Sequence, residues 1–353
     1  MEQYTDAMQM MDLMVQPAFC VKNGIIVKVN AGAAGYMLEE GTPVSALMQT
    51  GAQEYAAFSG GCLYLNLSVC GQLLGFSVIR QADLDIFRLD QESDAPELRA
   101  MALAARELRE PLANVMHLTR ELLPASSQQA AQLNRGLYRM LRIIGNMSDA
   151  DRYCAAGTGH MEYRDVCAVV DEIFDKAAAL AQHADVCLTY EGHPESVCCL
   201  TDSEKLEKAI LNIISNALKF SPKGGTIAAK LTRKGDKLYL SVQDSGCGLS
   251  NSVRGNLFSR HTRQPGIEDG QFGIGLGMVL IRAAAALHGG TVLVDQPARC
   301  GTRITMTLSI RQNTGSIVRC PVMGIDYSGE LDPALIALSD VLPADLYDPE
   351  NID

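Results

Sequence analysis

The sequence lacks any apolar run long enough to cross a membrane. Its best candidate, CLYLNLSVCGQLLGFSVI, is interrupted by Asn66, Ser68, Gly71, Gln72 and Ser77 and alternates as strands do. A basic-then-apolar leader is missing too, since the N-terminus reads MEQYTDAMQMMDLM. The eleven cysteines are odd in number, scattered and without a Cys-x-x-Cys pair, which favours a reduced interior over a disulfide framework. Positive charge is in deficit: 30 Lys and Arg face 41 Asp and Glu, a formal charge of −11. That balance argues against a nucleic-acid partner, whose phosphates need clustered Lys and Arg, while leaving room for a local basic pocket. The expectation is a soluble cytoplasmic chain with no membrane span.

What is present is material for packing. With 353 residues, 47% hydrophobic and 20% charged, the chain is globular and long enough for two or three domains. Residues 1–85 read as α+β. VKNGIIVKVNAG places a turn at Asn23-Gly24 before a β-branched run, a hairpin signal, and LYLNLSV and LLGFSVIR add two strands. This order resembles a small PAS-like sensor domain, with Asn30 closing the second strand. Cys20, Cys62 and Cys70 have ligand chemistry, but small buried hydrophobes are the plainer reading. The polar stretch QADLDIFRLDQESDAPE reads as a junction.

A helical hairpin is expected over 92–155. Leu98, Met101, Ala105, Leu108, Leu112, Val115, Thr119 and Leu122 recur at alternating spacings of three and four, a heptad seam. Pro124 and the residues after it break the arm. Ala130, Leu133, Leu137, Met140, Ile144 and Met147 then repeat the rhythm. Two hairpins would make a four-helix bundle and a homodimer; one alone would be an intramolecular spacer. Residues 158–311 alternate helices with strands and suggest an α/β sandwich of one helical layer on a mixed sheet. Residues 312–353 form an acidic tail with a strand candidate at VMGIDYS and a helix candidate at PALIALSDVL.

Three polar clusters punctuate residues 158–311. In LNIISNALKFSPKGG, Asn212 and Asn216 share one helix face with Lys219 a turn beyond. Amide oxygens on an apolar helix suit a hard cation between protein and phosphates, although capping or a bond to a neighbouring strand explains them equally. In QDSGCGLS, Asp244 ends a strand, and Gly246 and Gly248 permit close backbone approach. A carboxylate there is a natural acceptor for an exocyclic amine. In QFGIGLGMVLIRAAAALHGG, Gly273, Gly275 and Gly277 open a helix whose end His288 and Gly289 mark; such amides can cradle an anion. The spacing rejects a dinucleotide fingerprint, and no Gly-Lys-Ser/Thr follows for a phosphate loop. Between the last two lies a long polar loop with an apolar anchor at Leu257-Phe258 and with Arg260 and Arg263 in reach of a phosphate, the composition of a lid.

The order of these pieces resembles the ATP-binding domain of sensor histidine kinases, the Bergerat or GHKL fold, over roughly 160–310. That resemblance implies ATP and Mg2+ as cofactors. Asn212 and Asn216 would hold the metal and phosphates with Lys219, and Asp244 would read adenine. Gly246, Gly248, Gly273, Gly275 and Gly277 would shape the lid, which also carries Phe258 and Arg263. His261 stands where the family often has a second lid aromatic. The hairpin then resembles the family's dimerisation and phosphotransfer domain, whose box reads Ser-His-Glu-Leu-Arg-Thr-Pro-Leu. Residues 105–112 read Ala-Arg-Glu-Leu-Arg-Glu-Pro-Leu.

Arg106 therefore stands at the phosphoacceptor position. A guanidinium with a pKa above ~12 has no free lone pair to present to a phosphoryl group. Glu107, the would-be base, is retained with nothing to activate, and a plain surface pair between the two is expected. Glu110 replaces the residue that would orient water for dephosphorylation, placing negative charge beside a phosphoaspartate. His117, eleven residues on and roughly 16 Å along the helix, lacks the box around it. The expectation is a pseudokinase that binds Mg-ATP and regulates a partner histidine kinase or response regulator. The alternatives are an active histidine kinase, through another histidine or in trans, and a GHKL ATPase switch.

Overall fold

The computed structural model describes residues 11, 14–81, 83–90, 95–122, 127–154, 159–249, 257–258, 275–297, 300–311 and 331–352. The candidate strand at VMGIDYS lies outside them.

The N-terminal unit is built on a five-stranded antiparallel sheet. β1 (Ala18–Lys22) and β2 (Ile25–Val29) join through a two-residue turn in which Asn23 and Gly24 have φ of 51° and 77°. Lys22 pairs with Ile25 across it, as the Asn-Gly signal predicts. Asn30 is buried and ties the unit together. Its Oδ1 accepts from the amides of Ala18 (2.9 Å) and Ala33 (3.0 Å), and its Nδ2 donates to the Gln16 carbonyl at 2.9 Å. A short helix, α1 (Ala52–Ala57), precedes β3 (Cys62–Val69), β4 (Gln72–Gln81) and β5 (Leu84–Leu89). β5 corrects the junction reading, because the sheet runs past the boundary expected at residue 85. All six of its residues are buried, including the charged ones. Asp85 is held by Arg80 and by the Tyr55 hydroxyl (2.7 Å), and Arg88 by Asp90. Paired charges on the second face made a buried strand look polar.

The hairpin consists of α2 (Ala95–Leu122) and α3 (Gln128–Cys154). Only half of each seam is used inside it. Leu98, Ala105, Leu112 and Thr119 are buried with Ala130, Leu137 and Ile144, whereas Leu108, Val115, Leu122, Leu133 and Met140 are exposed.

The C-terminal unit places α4 (Val166–Gln182), α5 (Ser203–Phe220) and α6 (Gly277–Leu287) over a sheet of β7 (Cys187–Glu191), β9 (Thr226–Lys234), β10 (Lys237–Gln243), β11 (Val292–Asp295) and β12 (Arg303–Ser309). β7 pairs with β9 in parallel and the other pairs are antiparallel, so the sheet is mixed as expected. β6 (Glu162–Asp165) and β8 (Cys198–Thr201) form a separate ribbon. Asp165 caps α4 and Asp202 caps α5, each accepting backbone amides of the first turn.

β3 pairs antiparallel with β11, merging both units into one ten-stranded sheet in the order β2-β1-β5-β4-β3-β11-β12-β10-β9-β7. Gly61 lies at this seam with φ of 91°, where a Cβ would collide with the Val294 carbonyl. Beyond the sheet, a helix forms within PALIALSDVL as α7 (Pro333–Leu338), with Asp332 capping it. No helix among the described residues is long and apolar enough to cross a membrane.

Candidate functional site

The site forms where α5 meets two glycine turns. The helix presents Asn212, buried, and Asn216, partly buried, on one face, with Lys219 partly buried a turn beyond. Asn212 Nδ2 donates back to the Lys208 carbonyl at 2.8 Å. That bond fixes the amide and directs its function to Oδ1. A Cβ on Gly277, at the start of α6, would stand 3.3 Å from Asn212 Oδ1 and 4.0 Å from Asn216 Nδ2. Glycine therefore lets the first turn of α6, with its free amides, close upon the asparagine face. Gly275, two residues earlier, adopts φ of 76° to turn the chain into the helix.

Asp244 follows β10 and is buried. Its Oδ1 accepts from the Gly246 amide at 2.8 Å and the Thr302 amide at 3.0 Å. Burial pushes its carboxyl pKa up, and the two amides pull it back. Gly246 packs on the Phe220 carbonyl at the end of α5, so the aspartate turn and the asparagine helix share one wall. Gly248, with φ of 78°, packs on Gln296. Gly277 thus adjoins Asn212 and Asn216, and Gly246, beside Asp244, adjoins the end of the same helix. Arg263 and Gly273 lie outside the described residues, as do Arg260 and His261.

Phe258 has a setting that its lid position did not suggest. It is fully buried, its ring 5.5 Å from that of Tyr64 on β3, and its carbonyl accepts from Arg282 Nη1 at 2.9 Å. Arg282 sits over the Tyr64 ring and 3.9 Å from the buried Asp90. Phe258 thereby touches the N-terminal unit. Arg282 was missed in the sequence, where a lone cation in LIRAAAAL was the available signal. Lys208 was missed as well: it joins Asp149 of α3 at 2.8 Å and Glu204 at 2.7 Å. Burial would lower its pKa, and those two carboxylates hold it up.

Arg106 is 80% exposed, with Nε 3.9 Å from Glu107 Oε1, the surface pair expected. His117 is also exposed and lies 3.3 Å from Glu121. Cys20 and Cys62 are buried and Cys70 exposed, with no cluster fit to hold a metal among the described residues.

Residues 201–312 match the family described as histidine kinase-, DNA gyrase B-, and HSP90-like ATPase. The sensor protein KdpD of Clostridium acetobutylicum is 25% identical over 233 residues, covering 60% of this chain and 25% of that protein. The sensor histidine kinase TmoS of Ectopseudomonas mendocina is 28% identical over 229 residues, covering 62% of this chain and 23% of that protein. Over this stretch the chain is similar to sensor histidine kinases. The matched region spans a quarter or less of the length of these two relatives. A crystal structure of full-length ShkA in complex with AMPPNP shares the fold at a TM-score of 0.50 and 20% identity, over 62% of this chain and 47% of that one. The matched ATPase-type region carries α5, Asp244 and α6, and the hairpin precedes it.

Proposed function

We propose that the chain is a nucleotide-binding signalling protein of histidine-kinase type that does not phosphorylate its own hairpin at position 106. The observation that carries the nucleotide reading is the convergence of Asn212 and Asn216 with the α6 N-terminus across Gly277. The residues present fit Mg-ATP. Asn212 Oδ1 and Asn216 offer neutral oxygens for Mg2+, the α6 amides favour phosphate, and Lys219 adds charge. Asp244 holds two amides on Oδ1, which orients its carboxylate for an exocyclic amine of adenine. Arg263 and Gly273 complete the proposed set from the lid.

Arg106 supports the second half of the proposal. An exposed guanidinium beside Glu107 offers no lone pair, so bound ATP finds no acceptor there. Function then lies in binding: a homodimer built through the hairpin, with the PAS-like N-terminal unit as input, holds a response regulator or a partner histidine kinase in a nucleotide-dependent state. One observation favours the rival, an active kinase: exposed His117 has a carboxylate, Glu121, one turn away.

Incubation with γ-labelled ATP and Mg2+, beside an Arg106→His variant, separates the two. No label on the native chain and label on the variant is the expected result. Acid-labile, base-stable label on the native chain that His117→Ala removes would overturn it. Phosphate released to solution without labelled protein would indicate an ATPase switch instead.

A further inference from the structure

The segment after the nucleotide domain packs on two partners at once. Ala334, Leu338, Leu342 and Tyr347 are buried in the same core as α4 and α5. One face of α3 is turned toward the segment through Asn134, Arg135, Tyr138, Arg139 and Arg142, spaced so that all five share a side of the helix. Asn134 Nδ2 donates to the Tyr347 carbonyl at 3.1 Å. Arg135 donates to the carbonyls of Ser339 and Asp340, both at 3.1 Å. The carboxylate of Asp340 takes Arg139 Nε at 3.0 Å and Arg142 Nη1. Tyr138 and Tyr347 meet edge to face with centroids 5.0 Å apart. Arg142 completes the bridge: its other terminal nitrogen donates to Ser215 Oγ at 2.9 Å, and Ser215 stands on α5 between Asn212 and Asn216.

We infer that residues 332–350 are an intramolecular clasp that fastens the nucleotide domain to the second hairpin helix and sets its position relative to the hairpin. The inference stands on these contacts whether or not the domain binds ATP. Two other contacts hold the same docking. Leu276, Val279 and Leu280 of α6 pack on Leu98, Met101, Met147 and Ala150 of the hairpin, and Lys208 reaches Asp149. Both of those belong to the domain itself, whereas the clasp is an added segment. From α3 it receives four polar side chains and one aromatic, a composition nearer to interfaces that part and re-form than to a domain core. Arg142 is less exposed than Arg139, and burial lowers its pKa while Asp340 opposes the shift. Removing Asp340 would strand that cation among two other arginines.

Hydroxyl-radical footprinting of the full-length protein tests the clasp, using Tyr138 on α3 and Tyr347 on the segment as reporters and Phe174 in the nucleotide-domain core as the control. All three are buried in the closed state. Asp340→Arg sets a cation against Arg135, Arg139 and Arg142. It is expected to raise the reactivity of Tyr138 and Tyr347 together by about tenfold while Phe174 stays protected. The charge-swapped Asp340→Arg, Arg142→Asp pair is expected to restore part of the protection. A rise at Tyr347 alone would overturn the inference, since α3 would then be held without the segment. So would a rise at Phe174 in both Asp340→Arg and the milder Asp340→Asn, which would make the segment part of the domain core.

Discussion

His288 shows how one residue type serves structure where a motif search would hope for chemistry. It follows the last turn of α6, and its ring lies between two backbone groups: Nδ1 donates to the Ala284 carbonyl at 2.7 Å and Nε2 accepts from the Asp202 amide at 3.1 Å. That pairing uses the neutral tautomer. Burial pushes the pKa down, Ala284 and Asp202 oppose it, and Arg311 and Lys205 reinforce it. Below the ordinary histidine value of ~6.5, the unfolded chain takes up a proton that the folded chain refuses. Stability is therefore full above that pH and falls as the pH drops through it, levelling once the folded histidine also protonates. Thermal unfolding between pH 7.5 and 5 should show a falling Tm in the native protein. In His288→Gln the Tm should start lower and depend less on pH. Equal slopes in both proteins would assign the acid sensitivity elsewhere.

At the scale of elements, the join between the two sheets is more than strand pairing. Glu54 on α1 meets Lys237 at the start of β10, with both carboxylate oxygens 2.8 Å from Nζ and both side chains nearly sealed from water. Tyr239 adds its hydroxyl to Glu54 at 2.9 Å, and burial with that carboxylate pushes its pKa up to about 12. Removing one partner of a buried pair costs roughly 3–5 kcal/mol, whereas replacing both by apolar groups costs far less. Glu54→Ala should lower the denaturant midpoint of the full chain clearly, and Glu54→Met with Lys237→Met should recover most of the loss. An additive double variant would show that the pair is not coupled. Neither residue was legible as an interface in the sequence, because no local pattern marks a charge whose partner lies 183 residues away. The same limit hid β5, whose Asp85 and Arg88 look solvent-facing until their partners are placed. Short-range features were read well. The Asn23-Gly24 turn, the alternation of helices and strands over 158–311 and the Asn212/Asn216 face each depend on short-range spacing. The approach of Gly277 to that face depends on packing, yet glycine spacing pointed to it.

At the scale of the whole molecule, the described residues of the hairpin leave an apolar face uncovered. The expected seam splits in two. Alternate positions from Leu98 to Thr119 and from Ala130 to Ile144 close the hairpin, while Leu108, Val115, Leu122, Leu133 and Met140 face outward. Leu122 is 76% exposed and Leu108 50%, and Leu118 and Ile143 extend the apolar area. A heptad stripe half spent within one hairpin and half exposed is what a second, identical hairpin would bury, since each copy offers the same face. The nucleotide domain docks on the hairpin through Leu98, Met101, Met147 and Ala150, and through the opposite side of α3. Sedimentation at micromolar concentration should therefore give a dimer. Leu108→Glu combined with Met140→Glu places four charges in the shared core and should weaken the dimer by about a hundredfold or more. Binding of a fluorescent ATP analogue per chain should be unchanged, because both side chains are exposed on the hairpin and neither belongs to the Asn212, Asp244 and Gly277 set. A native chain that sediments as a monomer at tens of micromolar would remove the homodimer from the proposed function. The proposed nucleotide site, whose described residues all lie in one chain, would stand.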